Sequence, residues 1–263
     1  MLKDDKNLHA SIFYEGIPVV FLHAFPVNHK MWQPQMDYLR SRGVGYIAPD
    51  YPGFGMSPLV EEEMGISGYG NYIYALLQEM GIRRAIFAGL SMGGYVALSL
   101  FRNYPLLFGG LILANTRAAD DNPEARQNRL DTVERIRRTL NVSPLIDNLL
   151  EKFFTQTTRS HSPETMETAE SLMREATVAG VIQAQRAMAS RPDSTALLKE
   201  MHFPVTVISG EDDPLIPMEE MQAMAAEIPA ASFHVIRKAA HLSNLERPDE
   251  FNDIMWQLIQ KSR

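Results

Sequence analysis

The chain has 263 residues, a net charge of −7 and a pI near 5.5, and its acidic and basic residues are interleaved along the sequence. This charge pattern excludes the basic patches that bind nucleic acid or an anionic membrane surface, so the expected partner is a small molecule. The absence of cysteine excludes disulfides, thiolate metal sites and cysteine nucleophiles.

The N-terminus, Met1 to Lys6, lacks the apolar segment of a secretory signal, and no apolar run is long enough to cross a bilayer. We therefore expect a cytoplasmic protein without a membrane partner. The length suits one large α/β domain that carries an insertion. The sequence leaves the oligomeric state open.

Short apolar runs rich in Val, Ile and Phe recur along the chain, and several are apolar at both alternating sets of positions. This pattern is typical of strands that are buried on both faces of a parallel sheet. The six runs are residues 17–23, 45–49, 85–88, 111–114, 205–209 and 232–236. Residues 8–14 alternate more evenly and predict an antiparallel edge strand.

Helical patterns separate these runs, so the sequence predicts an α/β fold with a doubly wound, mostly parallel sheet. The predicted helices of the sheet region are 31–40, 68–80, 93–103, 218–228 and 249–261. Residues 117–200 break the alternation, because they hold four helix-length stretches and no convincing strand. We expect residues 1–116 and 201–263 to form the core and residues 117–200 to form a helical cap over the carboxyl ends of the strands.

The most informative motif is Gly89-Leu90-Ser91-Met92-Gly93, which lies between an apolar run and a helical pattern. A serine hydroxyl is a poor nucleophile, so a catalytic serine is presented at a sharp turn where a base can reach it. A Cβ at either glycine would crowd the strand before the turn or the helix after it. The motif therefore predicts a nucleophile elbow.

Four further segments follow predicted strands in chain order. They are His23-Ala24-Phe25-Pro26, the Asp50 to Ser57 segment of pattern D-x-x-G-x-G-x-S, Gly210-Glu211-Asp212-Asp213-Pro214, and Ala239 to Glu246. With these segments the chain resembles the alpha/beta-hydrolase family over nearly its whole length. Residues 188–194, 210–217 and 241–248 are most similar to the 3-oxoadipate enol-lactonase-like serine esterases. That resemblance implies hydrolysis of enol-lactones or simple esters without a cofactor.

The resemblance implies a catalytic triad in the order Ser91, Asp213, His241. Of the seven histidines, only His241 lies on the loop between the last strand and the terminal helix, where it could reach Ser91. Three acidic residues are contiguous, and the family spacing G-x-x-D selects Asp213, with Asp212 as the alternative. We expect His23, at the head of the oxyanion loop, to be structural.

The same resemblance assigns the oxyanion hole to the backbone N–H groups of Phe25 and Met92. Ala24 stands where the family usually has glycine, which narrows the conformations of this loop. Candidate residues for the substrate pocket are Trp32, Phe54, Met92, Met188 and Leu215, although each of them fits an ordinary core position equally well.

No H-E-x-x-H motif and no phosphate-binding glycine pattern occurs, so we expect neither a metal nor a cofactor. The leading hypothesis is a serine hydrolase that cleaves carboxylic esters or lactones of a small molecule through an acyl-enzyme. Perhydrolysis, thioester cleavage and carbon–carbon bond hydrolysis use related sites. A receptor with slow or no turnover on the same fold is the alternative from another class.

Overall fold

One seven-stranded sheet organises the computed structural model, which describes residues 8–229 and 231–262. The strands are β1 Ala10–Phe13, β2 Val19–Leu22, β3 Tyr46–Pro49, β4 Ala85–Leu90, β5 Phe108–Ala114, β6 Val205–Gly210 and β7 Ala231–Ile236. Their order across the sheet is β1-β3-β2-β4-β5-β6-β7. β1 pairs antiparallel with β3, and every other pairing is parallel. The predicted fold class is confirmed, and each predicted run overlaps one strand.

Helices cover both faces of this sheet. The six that belong to the sheet region are α1 Gln33–Ser41, α2 Ile66–Glu79, α3 Met92–Asn103, α9 Met218–Ala226, α10 Ser243–Glu246 and α11 Pro248–Ser262. Alternate residues of β2 divide between two core clusters, with Val20 and Leu22 in one and Val19 and Phe21 in the other. Burying a side chain of this size contributes about 1.5 to 3 kcal/mol. This two-sided burial explains why the strands read as continuous apolar runs.

Five further helices fill the segment that interrupts the strand pattern, here called the insertion (residues 117–200). They are α4 Pro123–Thr139, α5 Ser143–Phe153, α6 Gln156–His161, α7 Pro163–Arg174 and α8 Val178–Ala189. α4 packs on α8, and α5 packs on α7. The short α6 was not predicted; the Thr155 side chain caps it by accepting a hydrogen bond from the Thr158 N–H. The division into core and cap domains remains a proposal.

The carboxyl ends of the strands β2 to β7 meet at one edge of the sheet, because these strands run parallel. The loops that follow them carry the motifs singled out in the sequence. No helix in the described part of the chain is long and apolar enough to span a membrane. The predicted lack of a signal segment concerns Met1 to Lys6, which lie outside the described residues.

Candidate active site

Ser91 lies at the turn between β4 and α3. Its backbone has φ +55° and ψ −115°, a conformation that costs a residue with a Cβ on the order of 1–3 kcal/mol. Ser91 occupies the N-cap position of α3, yet its side chain does not cap the helix. The hydroxyl is therefore not engaged in the hydrogen bond that serine usually makes at this position. It remains available for chemistry.

Two close backbone approaches explain the glycines of this turn. A Cβ at Gly93 would overlap the carbonyl oxygen of Leu22 in β2, and a Cβ at Gly89 would overlap the backbone of Gly93. Backbone atoms cannot rotate away as a flexible side chain can. The steric prediction was thus right for Gly89, but Gly93 is constrained by the neighbouring strand β2 rather than by the strand that precedes the turn.

Asp213 and His241 are in direct contact. Asp213 Oδ2 lies 2.9 Å from His241 Nδ1, and both residues are buried. Asp213 Oδ1 accepts the N–H groups of Leu215 and Ile216 at 2.8 and 3.2 Å. Burial acts to raise the pKa of Asp213, but the charge and hydrogen bond of His241 and the hydrogen bond from Asn115 outweigh burial and hold this pKa below its usual value.

An ionised Asp213 can only accept hydrogen bonds, so Nδ1 of His241 carries the proton and Nε2 is the ring nitrogen that can accept one. Asp212, the alternative acid, is exposed, and its backbone N–H donates to the Ala239 carbonyl at 2.9 Å. The geometry therefore favours Asp213 as the partner of His241.

Asn115 is a site residue that the sequence analysis missed. It follows β5 with a φ of +45°, and its Nδ2 donates to Asp213 Oδ2 at 2.9 Å and to the Ala240 carbonyl at 3.2 Å. Its Oδ1 accepts a hydrogen bond from the Ser243 hydroxyl at 2.6 Å. These contacts orient the acid and join three loops at the sheet edge. The signal for it in the sequence is its place directly after the buried strand β5, at the same sheet edge as the other motifs.

His23 has the structural role that the sequence predicted. Its Nε2 accepts the N–H of Tyr51 at 3.0 Å, so Nδ1 carries the proton and donates to the Ala24 carbonyl at 2.9 Å. Complete burial lowers its pKa from 6.5 to about 4. A neutral, doubly hydrogen-bonded imidazole thus fixes the loop that contains Phe25.

Phe25 and Met92 are the two residues whose backbone amides were expected to form an oxyanion hole. Met92 is the first residue of α3, where an N–H group has no acceptor within its own helix. Among the described residues, neither amide has a hydrogen-bond acceptor. The Ala24 N–H is directed elsewhere, 3.2 Å from Met31 Sδ. The replacement of glycine by Ala24 therefore leaves both predicted donors free.

Ser91 and His241 line a common cavity of about 230 Å³. Phe25 and Leu215 contribute to its core side, and the insertion contributes the other side, including Phe153, Gln185 and Met188. The Phe153 ring lies 5.1 Å from the His241 ring. This volume is below the usual range of about 300–1,000 Å³ for ligand pockets, so it suits a short substrate. A larger groove of about 440 Å³ between residues 59–65 and α8 contains none of the triad candidates.

Not every predicted pocket residue lies at this cavity. Met188 and Leu215 line it. Trp32 does not, because it is fully buried with its ring stacked on Phe21 at 5.0 Å and near Phe251 at 5.7 Å. Phe54 is also buried, against the rings of His23 and Phe25. Trp32 and Phe54 are thus core residues.

The structure brings together one group of metal-ligand type that the sequence analysis did not find, formed by His9, His29 and Asp50. Asp50 Oδ1 accepts from His29 Nδ1 and the His29 N–H, both at 2.8 Å. Its Oδ2 pairs with His9 Nδ1 at 3.1 Å and accepts the Met56 N–H at 3.0 Å. Burial acts to raise the pKa of Asp50, but the hydrogen bonds from His29 and from the Met56 N–H, together with the nearby His23, outweigh burial and lower this pKa to about 2. Four partners already satisfy this carboxylate, which favours a structural role.

Comparison with known proteins places this geometry in context. The alpha/beta hydrolase fold family matches residues 17–248. An esterase from Thermogutta terrifontis, in a malate-bound form, superposes with a TM-score of 0.93 and 34% identity, covering 97% of this chain and 93% of that one. 3-Oxoadipate enol-lactonase 2 of Acinetobacter baylyi is 29% identical over 89% of this chain and 85% of its own length.

A more distant relative is a hydrolase named for other substrates. The 2-hydroxy-6-oxononadienedioate/2-hydroxy-6-oxononatrienedioate hydrolase of a Pseudomonas species is 23% identical over 92% of this chain and 88% of its own length. The family match covers most of the chain, from before the oxyanion loop to beyond His241. The chain therefore belongs to the alpha/beta hydrolase fold family.

Proposed function

We propose that this protein is a serine hydrolase that cleaves carboxylic esters or lactones of small molecules through an acyl-enzyme. One observation carries the proposal. A buried carboxylate, Asp213, holds Nδ1 of His241 at 2.9 Å, and His241 lines the same cavity as Ser91, whose hydroxyl does not cap its helix. This combination is the arrangement that a serine nucleophile requires.

The reaction follows from these positions. The Ser91 oxygen attacks the substrate carbonyl carbon, and its proton passes to His241 Nε2. Collapse of the tetrahedral intermediate breaks the ester bond, and His241 returns that proton to the departing alcohol. Water then repeats the sequence on the acyl-enzyme and releases the acid. Asp213 stabilises the imidazolium that forms in both steps.

The oxyanion of each intermediate would be held by the N–H groups of Phe25 and Met92. A donor of this kind is worth about 3 kcal/mol of transition-state stabilisation. Because the neutral His23 fixes the Phe25 loop through two hydrogen bonds, the donor is positioned before substrate arrives. Preorganisation of this kind avoids reorganisation during the reaction.

The substrate assignment draws on the relatives, which include an esterase and an enol-lactonase. The small cavity agrees with short acyl or lactone substrates. Carbon–carbon bond hydrolysis is the second candidate, favoured by the similarity to the Pseudomonas hydrolase. The cysteine-free composition suits the cytoplasmic location that we propose with this function.

Two assays test the proposal. We expect turnover of p-nitrophenyl acetate and a stoichiometric fluorophosphonate adduct on Ser91. Ser91→Ala should lower kcat by about 10⁴- to 10⁶-fold and abolish labelling, whereas Ser99→Ala on the same helix should leave both unchanged. A folded wild-type protein that neither turns over esters and lactones nor reacts with the fluorophosphonate would instead support a receptor.

A further inference from the structure

The segment that carries His241 lies between β7, which ends at Ile236, and α10, which begins at Ser243. It belongs to neither a strand nor a helix, so its backbone groups need hydrogen-bond partners from elsewhere in the molecule. Those partners determine the path of the chain. The contacts of Ala240 and Leu242, on either side of His241, therefore decide where the imidazole is placed.

Glu246 of α10 holds the residue before His241. Its Oε2 accepts the N–H of Ala240. The carbonyl of Ala240 in turn accepts from Asn115 Nδ2 at 3.2 Å. Both backbone polar groups of Ala240 are thus hydrogen-bonded to a side chain, which restricts the direction in which the chain enters His241.

The other oxygen of Glu246 contacts the insertion. Glu246 Oε1 accepts both the N–H and the hydroxyl of Thr155 at 2.9 Å. The Thr155 hydroxyl also lies 3.1 Å from the Thr158 hydroxyl, but it has one proton, and a carboxylate is the stronger acceptor. One half-buried carboxylate therefore joins the His241 segment to the start of α6.

The residue after His241 is linked to the same part of the insertion. The N–H of Leu242 donates to the carbonyl of Phe153 at 3.1 Å. The ring of Phe153 lies beside the His241 ring and lines the cavity. Residues on both sides of His241 are thus connected to one short turn of the insertion, residues 153–155, directly through Leu242 and through Glu246 for Ala240.

We propose that Glu246 is a positioning residue, which together with the turn at residues 153–155 holds the His241 imidazole between Asp213 and Ser91. This role rests on the proposed function, because that function makes His241 the base. Glu246 does not line the cavity, so it acts through His241. Its effect can be large, since an error of about 1 Å in the geometry of a site can lower the rate about 100-fold.

Glu246→Gln tests the role with little change of shape. Glutamine accepts only through Oε1, and its NH₂ group would oppose the N–H of either Ala240 or Thr155, so at least one link is lost. We expect kcat for p-nitrophenyl acetate to fall by about 10- to 100-fold, with KM within about threefold because the acyl site is intact. Fluorophosphonate labelling of Ser91 should slow by a similar factor, since it needs the same base.

Two variants of Thr155 grade the effect. Thr155→Ser keeps both donors and should retain the wild-type kcat. Thr155→Val keeps the N–H and the shape but loses the hydroxyl, so kcat should fall by about three- to tenfold. This milder change keeps the role testable even if Glu246→Gln folds poorly. Far-ultraviolet circular dichroism monitors folding of each variant.

Glu175→Gln is the matched control. Glu175 also joins the insertion to the core, because it accepts from Asn28 Nδ2 at 2.8 Å and pairs with Lys30 at 3.2 Å. It makes no contact with the segment that carries His241. Glu175→Gln should therefore leave kcat within about twofold of wild type, even though it weakens the docking of the insertion.

Proton NMR reports on His241 without turnover. The proton on its Nδ1, hydrogen-bonded to the ionised Asp213, should give a signal well downfield of the backbone amides. We expect this signal in the wild type, in Thr155→Ser and in Glu175→Gln, and we expect it to shift or broaden in Glu246→Gln. A loss of stability alone would not move the signal of the folded protein.

The outcomes separate this role from the proposed function. If Glu246→Gln raises KM without lowering kcat, or if Thr155→Ser loses as much activity as Thr155→Val, the positioning role is wrong while the hydrolase stands. If the wild type neither cleaves esters and lactones nor labels at Ser91, the proposed function fails, and the downfield signal then decides the positioning role by itself. Absence of that signal from the wild type, or its unchanged presence in Glu246→Gln, overturns the role.

Discussion

The loops at the sheet edge and the helical insertion face the same cavity but hold their side chains in different ways. In the loops, Asp213 and Asn115 are buried and almost fully hydrogen-bonded, so their positions have little freedom. In the insertion, Arg129 lies between partial partners and keeps free donors. In the proposed hydrolase, the loops would carry out the bond-breaking steps, and the insertion would select the substrate.

The largest effect should come from a substitution of Asp213, which removes its charge from the hydrogen-bonded loops at the sheet edge. Asp213→Asn keeps the shape of the side chain but removes the charge that stabilises the His241 imidazolium, so kcat should fall by about 10³- to 10⁴-fold for every ester tested. The matched variant Asp212→Asn should stay within about threefold of wild type. Steady-state rates on neutral and acidic esters check both statements, and a larger loss in Asp212→Asn would reverse the assignment of the acid.

A second prediction concerns the pH dependence of stability on the loop side. The pKa of His23 is about 4 in the folded chain, against 6.5 when it is solvated. As pH falls from about 6.5 to 4, the unfolded chain takes up a proton that the folded chain excludes, so stability is lost across this window, by up to about 3 kcal/mol. His23→Gln should remove this part of the dependence.

Urea unfolding of both proteins between pH 7 and 4 measures that contribution. The difference in free energy of unfolding between wild type and variant should decrease from pH 7 to pH 4, because the glutamine side chain of the variant does not titrate. His161→Gln, at an exposed position of the insertion, serves as the control and should track the wild type. If the free energy of unfolding depends on pH in the same way for wild type and His23→Gln, His23 is not held neutral in the folded chain.

The smallest effect, and the one that sharpens the role of the insertion, concerns Met188 on the wall of the cavity. Met188→Ala should enlarge the acyl site and raise the hexanoate-to-acetate ratio of kcat/KM by about 10-fold, since a few methylenes are worth this much in an apolar pocket. Met166→Ala, on a different helix of the insertion and away from the cavity, should leave the ratio unchanged. Equal hexanoate-to-acetate ratios in the wild type and both variants would show that Met188 does not shape the acyl site.

Prediction from sequence succeeded for strands and turns, because their patterns are contained in short segments of the chain. The run at 111–114 located β5, but the strand begins at Phe108, because Gly109 and Gly110 interrupt the apolar pattern without interrupting the strand. A Cβ at Gly110 would meet the Ser262 hydroxyl of α11, so helix packing rather than strand propensity selects this glycine. This contact between β5 and α11 cannot be predicted from the sequence around Gly110.

Prediction was weaker wherever the contact joins distant segments. Trp32 fits both a pocket and a core by residue type, and only its stacking on Phe21 decides for the core. His9, His29 and Asp50 lie up to 41 residues apart in sequence. His9 and Asp50 meet because β1 and β3 are paired, and His29 joins them from the segment after β2, which also pairs with β3.

The sequence by itself determined the α/β architecture and the order of the motifs, because apolar periodicity and glycine-bounded turns are properties of short segments. It also named Ser91, Asp213 and His241 through a family resemblance. Only the tertiary structure decided that Asn115 orients the acid and that Arg117 and Arg129 line the same cavity as the serine. Those relations depend on how separate loops and helices pack, and side-chain distances across a fold are not set by spacing along the chain.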